Sequence, residues 1–251
     1  MSELEQTARI RANILAIHEC IDAAARRAGR DPGSVKLIAV SKTHPPESVR
    51  AAMAADVADF GENRVQEAGE KAEMLADVGG IRWHLIGHLQ RNKVRRAVAI
   101  FDLVHSVDSL RLAETLHRAV SEAEQAGGRA RLPVLLQVNV AGENQKEGFD
   151  LAGGLANTAR LAQFRAEVAQ IVELRHLEVR GLMMIAPYVV DPESARPVFR
   201  ALRELRDDLA RDFSGLPWSE LSMGMTGDYE VAVEEGATLV RVGRAIFGER
   251  A

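Results

Sequence analysis

The sequence predicts an α/β fold of the (β/α)8 type, a TIM barrel with an extra helix ahead of its first strand. Short apolar strand candidates alternate strictly with helical patterns, which calls for parallel strands joined by helical crossovers. Eight such units fill 251 residues, the usual size of this barrel. No Gly-x-Gly-x-x-Gly turn follows the first strand, so an open doubly wound sheet fits less well.

The elements follow in order. From Ser2 to Arg30 the apolar residues Ile10, Ile14, Ile17 and Ile21 form a helical stripe that stops at Gly29 and the Asp31-Pro32-Gly33 turn. Strand candidates come next at Val35–Val40, Val57–Phe60, Arg82–Ile86, Leu103–His105, Val134–Val140, Val179–Ile185, Glu220–Ser222 and Leu239–Val242. Helical patterns lie between them at Pro46–Ala55, Arg64–Ala76, Asn92–Ile100, Ser109–Glu124, Leu161–Leu174, Asp191–Asp212 and Asp228–Glu234. Because the last helix is very short, the N-terminal helix is expected to cover the final interval of the outer ring. Gly142 to Asn157, with four glycines, reads as a mobile loop or insertion. No linker divides the chain, which reads as one domain: the helix in residues 1–30, the barrel in 35–248.

Composition narrows the function. A hydrophobic content of 47% supplies a core, and a net charge of −4 gives no electrostatic reason for nucleic acid. The one basic run, Arg91 to Arg96, has no interleaved aromatics and reads as a solvated helix face. Cys20 is the single cysteine, so no intrachain disulfide forms and a cytoplasmic home is expected. Neither a basic leader joined to an apolar run nor a membrane-length apolar segment is visible, so neither export nor a membrane role is expected.

The chemistry collects at the C-terminal ends of the strands, where barrels of this kind carry their working residues. Val35 to Val40 ends just before Lys42, and period-two alternation puts Lys42 on the face of Ile38 and Val40, the barrel interior. An amine aimed into an apolar mouth is desolvated, which favours its neutral form and imine chemistry with an aldehyde. The bland alternative is a lysine that snorkels to solvent. Ser222-Met223-Gly224-Met225-Thr226-Gly227 and Val242-Gly243-Arg244 suggest a phosphate cradle of backbone amides, although ordinary turns use the same residues. Arg241 shares a face with Leu239 and Gly243, and an inward arginine needs an acceptor. Met183, Met184, Met223 and Met225 serve as core filler or as an adaptable apolar wall.

Six ordered motifs now carry a resemblance: Ala39-Val40-Ser41-Lys42, Phe60 to Glu67 (FGENRVQE), Trp83 to Lys93 (WHLIGHLQRNK), Gly181-Leu182-Met183, Leu221 to Met225 (LSMGM) and Val240 to Gly243 (VRVG). Together they resemble the pyridoxal phosphate homeostasis protein family, itself similar to the N-terminal barrel of alanine racemase, a fold-type III architecture. The resemblance implies pyridoxal 5'-phosphate (PLP) held as a Schiff base on Lys42. It also implies phosphate contacts from Ser222, Met223, Gly224, Gly243 and Arg244, mainly through backbone amides. Arg241 would face the pyridine nitrogen, and Asn63, His84 and Met183 would line the ring pocket. Arg244 departs from the small hydroxyl residue of many relatives, and Asn144 to Gly148 match the usual loop imperfectly.

An arginine at the pyridine nitrogen leaves that nitrogen largely unprotonated and the ring a weaker electron sink. The expected function is therefore PLP homeostasis by buffering or delivery, without a dedicated reaction. Apo PLP-dependent enzymes would be its partners, and a monomer is expected. A small PLP enzyme such as a racemase is the alternative, but it needs a second acid/base group, and neither Tyr188 nor Tyr229 lies in a matching segment. A metal site at His84, His88 and His105 lacks a cysteine or a carboxylate pair to complete it. His44 and His117 read as surface residues. No Gly-x-Ser-x-Gly elbow is present, and Cys20 has no apparent base.

Overall fold

The computed structural model describes residues 3–142 and 147–249. Helix α1 (Glu3–Arg27) precedes β1 (Lys36–Val40), α2 (Pro46–Met53), β2 (Asp59–Glu62), α3 (Val65–Met74), β3 (Arg82–Leu85), α4 (Val94–Ile100), β4 (Leu103–Val107) and α5 (Leu110–Gln125). After these come β5 (Leu132–Asn139), β6 (Phe149–Asp150), α6 (Thr158–Val172), β7 (Leu177–Met183), α7 (Arg196–Asp212), β8 (Glu220–Ser222), α8 (Tyr229–Glu234), β9 (Leu239–Val242) and α9 (Arg244–Phe247). The strands pair in parallel in the order β4-β3-β2-β1-β9-β8-β7-β5, and β4 also pairs with β5, which closes the barrel. The short β6 adds to β5 from outside the eight-strand ring.

Alternation along each strand sorts the side chains into two cores. Leu37, Ala39, Phe60, Trp83, Leu85, Val104, Leu136, Leu221 and Val240 join the large core between sheet and helices. Ile38, Leu103, Leu135, Met183 and Leu239 form a separate cluster inside the barrel. Helix α1 buries Ile10, Ile14, Ile17 and Ile21. It completes the ring as expected: Asn13 Nδ2 donates to Ile246 O on α9 at 2.9 Å, and Arg27 pairs with Glu230 and Glu234 on α8.

Three expectations need correction. Strand β4 runs past His105 to Val107, with a register irregularity between Val104 and Val107. Helix α9 follows the last strand, where four residues are too few to show a helical period. Gly142 to Asn157 is not loop throughout, since it contains β6 and a 3-10 turn at Gly154–Ala156, both too short for a periodicity signal. Within it, Asn144, Gln145 and Lys146 lie outside the described residues.

Candidate functional site

Lys42 occupies the turn just beyond β1 and is half-buried. The strand brings Ile38 and Val40 to the interior: a Cβ on Gly61 of the neighbouring strand would lie 3.1 Å from Ile38 and 3.5 Å from Val40. The residues flanking Lys42 are tied to the helix side of the sheet. Ser41 Oγ donates to Glu62 Oε1 at 2.7 Å. Lys71 Nζ on α3 donates to Ser41 O at 2.7 Å, to Glu62 Oε1 at 2.7 Å and to Glu67 Oε1 at 2.8 Å. Thr43 takes a left-handed φ of 66° and donates its amide to Glu67 Oε1 at 2.5 Å. That conformation is uncommon for a β-branched residue, so the carboxylate holds the turn against a local preference. Burial pushes the Glu62 carboxyl up in spite of Lys71.

The glycines after β8 and β9 each allow a close approach, Gly224 to α8 and Gly243 to the end of β1. Gly224 has φ 90°, and a Cβ there would lie 2.6 Å from the Ala232 Cβ and 2.9 Å from the Tyr229 Cα. A Cβ on Gly243 would lie 3.0 Å from Val40 O, so the end of β9 packs on the end of β1 two residues before the lysine. The bonds of the following turn begin with Ile246 N donating to Gly243 O at 2.9 Å, and the amides at a helix start have no partner within the helix. Met223 departs from the cradle: its amide donates to Leu239 O at 3.2 Å, and its side chain joins the outer core. Arg244 points its guanidinium 3.7 Å from Glu249, with the side chain 64% exposed.

A polar chain crosses the interior beneath the mouth. Arg241 Nη1 donates to Ser222 Oγ at 2.6 Å and Nη2 to Met184 O at 2.7 Å. Ser222 Oγ lies 2.8 Å from His105 Nδ1, His105 Nε2 lies 2.9 Å from His84 Nδ1, and His84 Nε2 lies 2.8 Å from Asp59 Oδ1. Strands β4 and β8 are not neighbours in the sheet, so the His105–Ser222 contact passes through the lumen. Burial lowers the Arg241 guanidinium to about 10, so it remains charged at neutral pH. Burial first, and then the neighbouring His84 and Arg241, push His105 well below the ordinary histidine value. Asp59 is raised by burial, but its bonds to Arg82 and His84 outweigh this and hold it well below the usual carboxylate range.

The other expected residues separate. Met183 belongs to the interior cluster, whereas Met184 packs outside and Met225 is partly exposed. Asn63 follows β2, where its backbone lies so close to Gly87 that a Cβ on Gly87 would sit 2.5 Å from Asn63 O. His84 forms part of the interior chain and not of a metal set. His88 instead meets two carboxylates, Asp108 Oδ2 at 3.2 Å and Glu147 Oε2 at 3.1 Å. This corrects the expectation that no carboxylate pair reaches these histidines. The cluster borders a cavity of about 550 Å³ lined by Leu89, Gln90, Asn92, Arg111 and Leu112. His44 and His117, expected at the surface, are half-buried, with their rings tilted against Phe247 and His176, respectively.

Sequence reasoning missed Asp59, Lys71, Glu67 and the role of His105. Asp59 and His105 stand in strands and Lys71 on the buried face of α3, but Asp59 and His105, and the Ser41 and Glu62 contacts of Lys71, find their partners on other elements.

The profile of the family described as "Alanine racemase, N-terminal domain" matches residues 9–251. The pyridoxal phosphate homeostasis protein of Aquifex aeolicus is 42% identical over 233 residues, covering 92% of this chain and 94% of that protein. Its namesake from Pseudomonas aeruginosa is 42% identical over 238 residues, or 95% and 94% of the two chains. PipY of Synechococcus elongatus, in a structure with PLP bound, superposes with a TM-score of 0.76 at 41% identity, covering 91% of this chain and 100% of that one. Alanine racemase of Clostridium difficile superposes with a TM-score of 0.68 at 12% identity, over 96% of this chain and 60% of that one, a likeness of fold alone.

Proposed function

This chain belongs to the alanine racemase N-terminal domain family, and from that premise we propose that it binds PLP as a Schiff base on Lys42 and serves PLP homeostasis by buffering or delivering the cofactor. The observation that carries the reading is the close packing of Gly243 on Val40, which puts the glycine turn after β9 beside the lysine turn after β1. A Cβ on Gly243 would press on Val40, so the glycine is what lets the end of β9 and the turn after it come this close to the lysine turn. When bound, PLP supplies an aldehyde that condenses reversibly with an amine.

The residues present fit the group. Lys42 offers the amine, and the amides of Gly224, Gly243 and Arg244 with the Ser222 strand end offer the phosphate cradle. Arg241 would face the pyridine nitrogen with a donor that keeps its hydrogens at neutral pH. Asn63, His84 and Met183 would line the ring pocket. The protein's share of the chemistry is to orient the amine, exclude water from it, and leave the pyridine nitrogen unprotonated. That combination favours holding a reactive aldehyde over stabilising a carbanion.

Apo PLP-dependent enzymes would be the recipients, met in the cytoplasm by a monomer of this protein. The absence of membrane-length apolar helices among the described residues is compatible with that setting. Racemisation finds less support, because Tyr229 is buried on α8 against Cys20 and Tyr188 is 91% exposed. Borohydride reduction of the PLP-loaded protein followed by peptide mass mapping tests the assignment. A pyridoxyl adduct on Lys42 is expected, and an adduct on another lysine alone, or on none, refutes it. Incubation with D- and L-alanine is expected to leave chirality unchanged, and steady racemisation would replace the homeostasis reading by an enzymatic one.

A further inference from the structure

The chain from Asp59 to Arg241 has an end that only accepts and an end that only donates. Asp59 is a carboxylate held by Arg82 Nε at 2.7 Å, and a carboxylate has no hydrogen to give. Arg241 is a guanidinium with five N–H groups and no acceptor. Between them lie His84, His105 and Ser222, each buried and each carrying one exchangeable hydrogen when neutral. Three links need a hydrogen from those groups: Asp59–His84, His84–His105 and His105–Ser222. The fourth link is supplied by Arg241.

The hydrogen count therefore closes in one way for the neutral groups. His84 donates from Nε2 to Asp59, His105 donates from Nε2 to His84 Nδ1, and Ser222 donates its hydroxyl to His105 Nδ1. Every hydrogen of the inner groups is used inward, so the Ser222 oxygen faces Arg241 as an acceptor. One additional proton would reverse the order. His84 would then donate from both nitrogens, His105 would donate from Nδ1 to Ser222, and the Ser222 hydroxyl would turn elsewhere.

We propose that His84 and His105 are positioning residues for Arg241: by taking the Ser222 hydrogen inward, they make the Ser222 oxygen a fixed acceptor that, with Met184 O, sets the plane of the guanidinium beneath the barrel mouth. The hydrogen order stands on the contact geometry and neutral imidazoles, while its consequence for PLP rests on the cofactor reading above. Ser222 then contributes no hydroxyl hydrogen to a bound phosphate, and the cradle relies on backbone amides.

The order is read in apoprotein carrying ¹⁵N-labelled histidine, by long-range ¹H–¹⁵N correlation at about pH 7. His84 and His105 are both expected as neutral Nε2–H tautomers. An Nδ1–H tautomer or a doubly protonated ring at either position overturns the order. The positioning role is read by PLP titration and by the absorption spectrum of the bound cofactor. His105→Leu is expected to weaken PLP binding about tenfold or more and to shift the absorption maximum. His105→Gln, whose amide oxygen can accept from Ser222 and whose nitrogen can donate to His84, is expected to stay within about threefold of wild type.

Ser222→Ala adds no bulk and removes the acceptor, so it is expected to follow His105→Leu and serves if the leucine variant does not fold. Wild-type affinity and absorption in either chain-breaking variant overturn the positioning role. A wild-type protein with the expected tautomers and no PLP uptake would leave the hydrogen order standing and refute the cofactor reading together with the role of Arg241 in it.

Discussion

Lys71 Nζ donates to the Ser41 carbonyl at 2.7 Å, so a buried amine on α3 holds the residue immediately before Lys42. Lys71 also binds Glu62 and Glu67, and Glu67 in turn binds the Thr43 amide. The FGENRVQE segment and the lysine four residues beyond it thus act as a bracket behind the lysine turn.

Replacing Lys71 by Met leaves the buried Glu62 carboxyl without its cation. Urea denaturation is expected to show a loss of about 3 kcal/mol, and PLP uptake should fall with the loosened turn. Glu62→Gln should be milder, about 1 kcal/mol, because burial already favours the uncharged acid and an amide keeps the bonding capacity. A Lys71→Met protein of wild-type stability and full PLP uptake would contradict the bracket.

Lys42→Ala separates chemistry from folding. Lys42 lies half-buried in a turn, outside both hydrophobic clusters, so stability should stay within about 0.5 kcal/mol of wild type. Reduction with borohydride should then leave no pyridoxyl mass on the protein.

The two glycines of the proposed cradle should respond differently to alanine. At Gly224 both the φ of 90° and a Cβ 2.6 Å from Ala232 oppose the substitution, and the expected cost is about 3 kcal/mol. Gly243 has φ −121°, which any residue adopts. Its Cβ would press on Val40 O and narrow the cradle, so the expected change is a PLP affinity about tenfold weaker with little change in the melting temperature. Equal stability losses in the two variants would defeat this distinction.

Asp59 gives the interior chain an acid limit. Its folded pKa is depressed by Arg82 and His84 in spite of burial. The stability it contributes is therefore complete above the ordinary carboxylate value of about 3.9 and is lost as pH falls below it towards the folded value. Asp59→Asn should cost about 2 kcal/mol at neutral pH, and the gap from wild type should shrink below about pH 4. A gap independent of pH would show that the ion pair is not its source.

Much of this architecture was legible from period alone. All eight barrel strands lie within two residues of their expected ends, with Glu220–Ser222 and Leu239–Val242 matching at both ends, because parallel strands buried on both faces print short apolar runs bounded by turn residues into the sequence. The stripe of Ile10, Ile14, Ile17 and Ile21 likewise marked the helix that completes the ring. Helix α9 and β6 span four and two residues, less than the repeat needed to recognise them. The side-chain partners were less visible: Met223 was expected in the cradle, yet the sheet uses its amide, and the Arg244 guanidinium turns to Glu249, which leaves only its backbone amide for the proposed cradle.

By itself, the sequence determined the alternating strands and helices, the lysine just beyond the first strand and the glycines that follow the last two, since each depends on local spacing and backbone freedom. Only the closed barrel decided which polar groups meet. His105 and Ser222 are 117 residues apart and lie on strands that do not pair, yet their side chains are 2.8 Å apart across the lumen. Their contact depends on strand tilt and closure, which no local pattern records, and on burial, which makes every polar group in that space find a partner.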